Sequence, residues 1–194
     1  MKKRIIIAAT GASGSPLLIQ CLKLIKEDGR FESCLIMSDG AKLTLGHETE
    51  KTVEEICALA DETFEFMEIG AKPASGSFKT EGMLIVPCSM KTLAGIHGGY
   101  ADNLILRAAD VTLKEKRTLV LAARETPLSA IHLRNMHELS MIPGVRIIPP
   151  MLTYYIRPES IEEMTYHSAA KLVEPFGIEA PDYKRWEGIH SSRF

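Results

Sequence analysis

Short apolar runs alternate with longer amphipathic stretches along most of the chain. Residues 5–10 form a continuous β-branched and small apolar run, the pattern of a strand covered on both faces, and 31–37 read as a second strand. Between them Leu17, Leu18, Cys21, Leu22 and Ile25 recur at helical spacing. Pro16 suits the first helical position, Ser15 its cap, and Asp28-Gly29 its end. A βαβ unit is thus complete within the first 40 residues. Residues 41–66 read as mainly helical, with an apolar stripe of Val53, Ile56, Cys57, Leu59 and Ala60. The small-residue stretch 71–80 reads as a loop. Strands follow at 83–86, 118–123 and 145–148, separated by helices over 101–116 and 129–139. A last helix covers about 160–176, before an irregular tail containing Trp186. This alternation predicts an α/β fold, a three-layer α/β/α sandwich around a mostly parallel sheet. No linker, repeat or low-complexity segment divides it, so residues 1–194 read as a single domain.

Two of these strands run directly into polar turns. Pro87-Cys88-Ser89-Met90-Lys91-Thr92 follows the run 83–86, and Arg124-Glu125-Thr126-Pro127 follows 118–123. Parallel strands end at one shared edge, so residues just past different strands meet there despite their distance in sequence. That edge is where a ligand is expected.

Charge and cysteine usage narrow the kind of ligand. The formal net charge is −2, with both signs interspersed, which shows neither a nucleic-acid footprint nor a membrane-attracting face; a small molecule fits better. Cys21, Cys34, Cys57 and Cys88 form no C-x-x-C pair and read as reduced thiols. The first apolar run is far shorter than the ~20 residues of a membrane span and meets a Gly-Ala-Ser-Gly turn, so the expectation is no targeting segment and a cytoplasmic protein.

Each candidate group has two readings. Gly11-Ala12-Ser13-Gly14, between strand and helix, suits an anion at free backbone N–H groups or a tight turn with serine capping. It lacks G-x-G-x-x-G, because Ser13 and Pro16 hold the second and third glycine positions, which disfavours a nicotinamide dinucleotide. Ser38, Ser89 and Thr92 serve equally as helix caps or ligand hydroxyls, and Lys91 as a phosphate partner or an exposed cation. Arg107 and Lys114 lie two turns apart on one helix face, suited to a phosphate unless Asp110 and Glu115 pair with them. Arg124-Glu125 at a strand end is either an ion pair or a working pair, and a partly buried Glu125 would handle a proton. The six histidines show no H-x-x-x-H or HExxH spacing, so no metal is assigned, and no G-x-S-x-G elbow is present.

The ordered motifs Thr10-Gly11-Ala12-Ser13-Gly14, Ala74-Ser75-Gly76-Ser77, Pro87 to Leu93, Asp102-Asn103-Leu104-Ile105, Arg107 to Val111, Leu113-Lys114-Glu115 and Arg124 to Leu128 span the chain almost end to end. By them the chain resembles the flavin prenyltransferases of the UbiX/Pad1 family, in the superfamily that also holds peptidyl-cysteine decarboxylases. The resemblance implies a Rossmann/flavodoxin-like sheet and transfer of a dimethylallyl group from dimethylallyl phosphate to N5 and C6 of reduced FMN, without a metal. It implies that Gly11, Ala12, Ser13, Ser38 and Ser89, with Met90, Lys91, Thr92 and Arg124, hold FMN. Arg107, Lys114, Arg124, Tyr155 and Lys171 would surround the substrate phosphate, and Trp186 would form an aromatic wall. Catalytic roles would fall to Ser13 between N5 and the phosphate, to Glu48 at the flavin edge, and to Glu125 as proton handler. It further implies a homo-oligomer, a dodecamer with sites at subunit interfaces, the tail from about 177 to 194 packing over the site or a neighbouring subunit, and a UbiD-type decarboxylase receiving the prenylated FMN. The chain departs from the family at Leu152-Thr153-Tyr154-Tyr155, where P-A-F-Y is usual, at Lys171, where some members have Arg, and at Met67, polar in some members. Two rival readings are an FMN-dependent decarboxylase, for which His47 is the candidate histidine, and a non-catalytic FMN-binding accessory protein.

Overall fold

The computed structural model describes residues 2–188; Met1 and 189–194, which include His190 and the end of the tail, lie outside the described residues. Six strands form one parallel sheet in the order β3-β2-β1-β4-β5-β6. They are β1 (Lys3–Ala9), β2 (Phe31–Met37), β3 (Glu62–Phe64), β4 (Gly82–Cys88), β5 (Thr118–Ala123) and β6 (Val145–Ile147). The strand order reverses at β1, which pairs with β2 on one side and β4 on the other, so a crevice opens at the carboxyl ends of β1 and β4.

Side-chain alternation along the strands builds the three layers. Ile5, Ile7 and Ala9 of β1 face a core completed by α1 (Ser15–Asp28), α2 (Asp39–Glu48), α3 (Val53–Cys57) and α7 (Ile161–Val173). Ile6 and Ala8 face the opposite core, completed by α4 (Met90–His97), α5 (Leu104–Lys114) and α6 (Ala130–Ser140). Full burial of residues such as Ile5, Ile7, Leu22 and Leu84 stabilises the fold by about 1.5–3 kcal/mol each.

Two expectations are corrected. Residues 41–66 are not one helical stretch: α2 stops at Glu48, α3 is a single short helix, and Glu62–Phe64 is the edge strand β3. Thr52 accounts for the break, because its hydroxyl accepts from the Glu55 amide while Glu55 accepts from the Thr52 amide, a capping box that starts a new helix. Asp61 then accepts from the amide and hydroxyl of Ser33, which aligns Glu62–Phe64 with β2. The strand at 83–86 is longer than expected and runs through Pro87 to Cys88, with a register shift between Ile85 and Cys88 where the missing proline N–H is tolerated.

The four cysteines are free, and burial pushes the Cys34 and Cys88 thiols up to about 12. Among the described residues no helix is long and apolar enough to cross a membrane, and no cluster of three or more His, Cys, Asp or Glu could hold a metal ion.

Candidate active site

Hydrogen bonds between strand ends draw the sequence-predicted turns together. The buried Thr10 hydroxyl donates to the Pro87 carbonyl at 2.9 Å and accepts from the Ser89 amide at 2.8 Å, which joins β1 to β4. The Ser38 amide donates to the Ala9 carbonyl and the Arg124 amide to the Cys88 carbonyl, which adds the ends of β2 and β5. Ser38 and Ser89 both cap helices, accepting from the Ala41 and Thr92 amides at 3.1 and 3.4 Å. Their hydroxyl protons leave room for a second role, although Ser89 also donates to the Thr92 hydroxyl.

A cavity of about 260 Å³ lies over this edge. Thr10, Gly11, Ser38, Ser89, Lys91 and Thr92 line it, so hydroxyls and an ammonium converge where helices α2 and α4 begin. A Cβ on Gly11 would meet the Gly40 Cα at 3.2 Å, which keeps both backbones close at the cavity floor. Asp39, Gly40, Phe66, Asn103 and Leu106 complete the lining and were not among the candidates. Asn103 is detectable only as the cap of α5, where its Oδ1 accepts from the Leu106 amide, and Phe66 was concealed by reading its segment as helix. The donor set suits a phosphate and a polyol, and Phe66 and Leu106 suit a flat ring, so the residues present fit FMN. Met90, by contrast, is buried in the α4 core layer, and Ala12 contributes by position in the turn rather than by lining.

On the other side of the turn 11–14 lies a second, mostly apolar cavity of about 530 Å³, lined by Ser13, Gly14, Leu17, Glu48, Leu152 and Met164 among others. Here the expected cap is corrected. Ser15 is already helical, and Gly14 caps α1 without a side-chain bond. Instead the Glu48 carboxylate, 34 residues on, accepts from the Gly14 amide at 3.0 Å and the Ser15 amide at 2.7 Å. A carboxylate reaches both free amides and meets the positive end of the helix, which a serine inside the first turn cannot do. Partial burial pushes the Glu48 carboxyl up, but hydrogen bonds from the Ser13 hydroxyl and from the amides and hydroxyl of Gly14 and Ser15 outweigh it and hold the group below its usual value. Glu48→Ala is therefore expected to cost about 1 kcal/mol, a typical cap loss reduced by solvent screening. Because the folded value is depressed, that contribution is present above the ordinary value of 4.5 and disappears as pH falls through the folded one. Urea midpoints for parent and variant should differ at neutral pH and converge in acid.

Tyr155 and Lys171 share a third cavity, about 190 Å³, which has Pro150 and Ser168 in common with the second. Tyr154 lines none of these cavities and is 71% exposed, so of the pair Tyr154-Tyr155 it is Tyr155 that the fold places there, beside Tyr183. Lys171 pairs with Glu174. Trp186 stands edge-on to Tyr155 at 5.2 Å.

Four charged candidates line none of these three cavities. Arg107 is bound to Asp110 at 2.7 Å and to the Ala74 carbonyl at 3.2 Å, and Lys114 to Glu115 at 2.7 Å, the pairings that their spacing allowed. Both belong to α5, across the sheet from Ser13 and Glu48. Arg124 and Glu125 are exposed and form no ion pair with each other among the described residues, so Glu125 is not partly buried as expected. The strand end lies at the protomer surface, and the nearest partner of Glu125 is the Thr126 amide at 3.0 Å.

The Flavoprotein family profile matches residues 1–174. A probable UbiX-like flavin prenyltransferase from Sedimentibacter hydroxybenzoicus is 48% identical over 185 residues, covering 95% of this chain and 97% of its own. The crystal structure of AnUbiX (PadA1) with FMN and dimethylallyl pyrophosphate superposes with a TM-score of 0.94 at 44% identity, covering 98% of this chain and 100% of that one. A dodecameric FMN-dependent UbiX-like decarboxylase from Escherichia coli O157:H7 superposes with a TM-score of 0.93 at 46% identity, covering 95% and 100%.

Proposed function

The chain belongs to the Flavoprotein family, among its UbiX-like flavin prenyltransferases, and from that premise we propose that it joins a dimethylallyl group to N5 and C6 of reduced FMN. The observation that carries the reading is the turn 11–14, with a hydroxyl- and lysine-lined cavity on one side and an apolar cavity holding Ser13 and Glu48 on the other. FMN suits the first and the prenyl group the second.

When bound, the reduced flavin supplies the nucleophilic N5 and C6. Ser38, Ser89, Lys91 and Thr92, with Gly11, Ala12 and the α4 start at Met90, would hold its phosphate and ribityl chain. The C–O bond of dimethylallyl phosphate would break with its electron pair leaving on the phosphate; one allyl carbon would replace the N5 proton, and closure at C6 would add one proton to the remaining double bond and release the C6 proton, so a group able to exchange protons is needed. The developing phosphate charge calls for fixed cations and the allyl cation for a dry wall. Tyr155 and Lys171 would meet the phosphate from the tail side, with Trp186 closing the wall. Arg107, Lys114, Arg124 and Glu125 would reach it from a neighbouring subunit, in an assembly like the E. coli dodecamer. This arrangement explains why one protomer leaves them apart and why arginine and lysine can replace a metal ion. The product would pass to a UbiD-type decarboxylase in the cytoplasm.

A direct decarboxylase, the description carried by the E. coli structure, finds less support. His47 is exposed near the end of α2 and lines none of the three cavities. Anaerobic incubation with reduced FMN and dimethylallyl phosphate should yield a flavin heavier by one dimethylallyl unit; an unchanged flavin mass would exclude the transferase reading.

A further inference from the structure

The tail lies against α7 through contacts of two kinds. Lys184 pairs with Glu163 and Arg185 with Glu174, exposed ion pairs that individually contribute little. Beneath them the Asp182 amide donates to the Tyr166 hydroxyl at 3.2 Å, and the remaining polar contact is the main-chain carbonyl of Lys184. It lies 3.1 Å from His167 Nε2 and accepts from the Tyr155 hydroxyl at 3.3 Å. A carbonyl only accepts, so Nε2 carries a proton in this arrangement. The His167 ring is 6% exposed, tilted on Tyr183 at 4.5 Å and edge-on to Tyr155 at 5.9 Å. It also lines the cavity shared by Tyr155 and Lys171.

Tyr155 has one hydroxyl proton, and here it is given to the tail. To donate to a phosphate it must release the Lys184 carbonyl. With His167 in place the carbonyl keeps a donor, the tail stays docked and Trp186 stays beside the cavity. Without it, the turn of Tyr155 would orphan a partly buried acceptor, a loss comparable to the hydrogen bond gained.

We propose that His167 is a positioning residue for the dimethylallyl donor: it holds the Lys184 carbonyl so that the Tyr155 hydroxyl is free to bind the donor phosphate without undocking Trp186. The role rests on the reading that Tyr155 receives that phosphate.

Gln and Met have similar length, but only Gln carries a donor at the end. His167→Met is expected to raise KM for dimethylallyl phosphate about tenfold, the loss of one hydrogen bond. FMN affinity should not change, and His167→Gln should restore the KM. Trp186 is the only tryptophan, so acrylamide quenching reports the tail alone. With donor present, Trp186 should quench more readily in the Met chain than in the parent or the Gln chain. Where the Met chain fails to fold, His167→Asn, polar but too short to reach, takes its place. An unchanged KM in the chain without a donor, or a raised KM that Gln does not restore, would overturn the proposal. Tyr155→Phe separates the two levels: an unchanged donor KM there overturns the phosphate reading itself, whereas a raised KM there with a parental KM in His167→Met overturns only the role of His167.

Discussion

Glu125→Gln is expected to slow prenyl transfer by about 10²–10⁴-fold, the usual contribution of a positioned acid or base. FMN binding should be unaffected, because Glu125 lies outside the cavity whose hydroxyls and lysine fit the flavin. The substitution preserves shape and keeps an oxygen for the Thr126 amide, so the strand end should not rearrange. What it removes is a group able to exchange the proton that travels with the departing phosphate. Single-turnover formation of prenylated flavin, measured beside a flavin titration, gives both quantities. A variant as fast as the parent would remove Glu125 from the chemistry and favour a protein that binds FMN without turning it over.

Gly82→Ala should be the most damaging small substitution in the sheet. Gly82 opens β4 with φ +157° and pairs with Ile5 and Thr118. A Cβ there would lie 2.2 Å from the Thr118 carbonyl oxygen and 3.0 Å from the Phe176 ring. Neither atom can yield cheaply, since the carbonyl belongs to the β4–β5 pairing and the ring closes the end of α7. The expected cost is roughly 2–4 kcal/mol, from backbone strain and overpacking together. Thermal unfolding should then occur roughly 5–15 °C lower. A midpoint within a degree or two of the parent would show that β4 and β5 can separate locally without loss.

The strands and helices that build the site were legible because their apolar periods are long and their ends carry Pro, Gly and Ser. The edge strand Glu62–Phe64 was not, since three residues are too few for a period to show and its alignment depends on Asp61 reaching Ser33. The cap of α1 escaped for a related reason: Glu48 is 34 and 33 residues from the two amides it binds, and no local pattern encodes that distance. Thr10 read as the end of a buried strand, and it lies buried one residue past β1. For Arg107 and Lys114 the spacing showed both the shared face and the acids that neutralise them, and could not choose. In the protomer Arg107 pairs with Asp110 and Lys114 with Glu115, a result that only the folded helix shows.

The Glu48 bond to Gly14 and Ser15 also bears on how a flavin is oriented. Of the helices that begin at the site edge, α1 has its positive end answered by Glu48 and α2 opens on Asp39, while α4 and α5 have no acid in their first turns and α4 carries Lys91 in its own. The start of α4, where a lysine adds to the helix pole, is thus the most favourable place on this edge for an anion. A ligand with a dianionic tail and a neutral ring would be sorted end for end by this edge before any shape is matched, its tail drawn to α4.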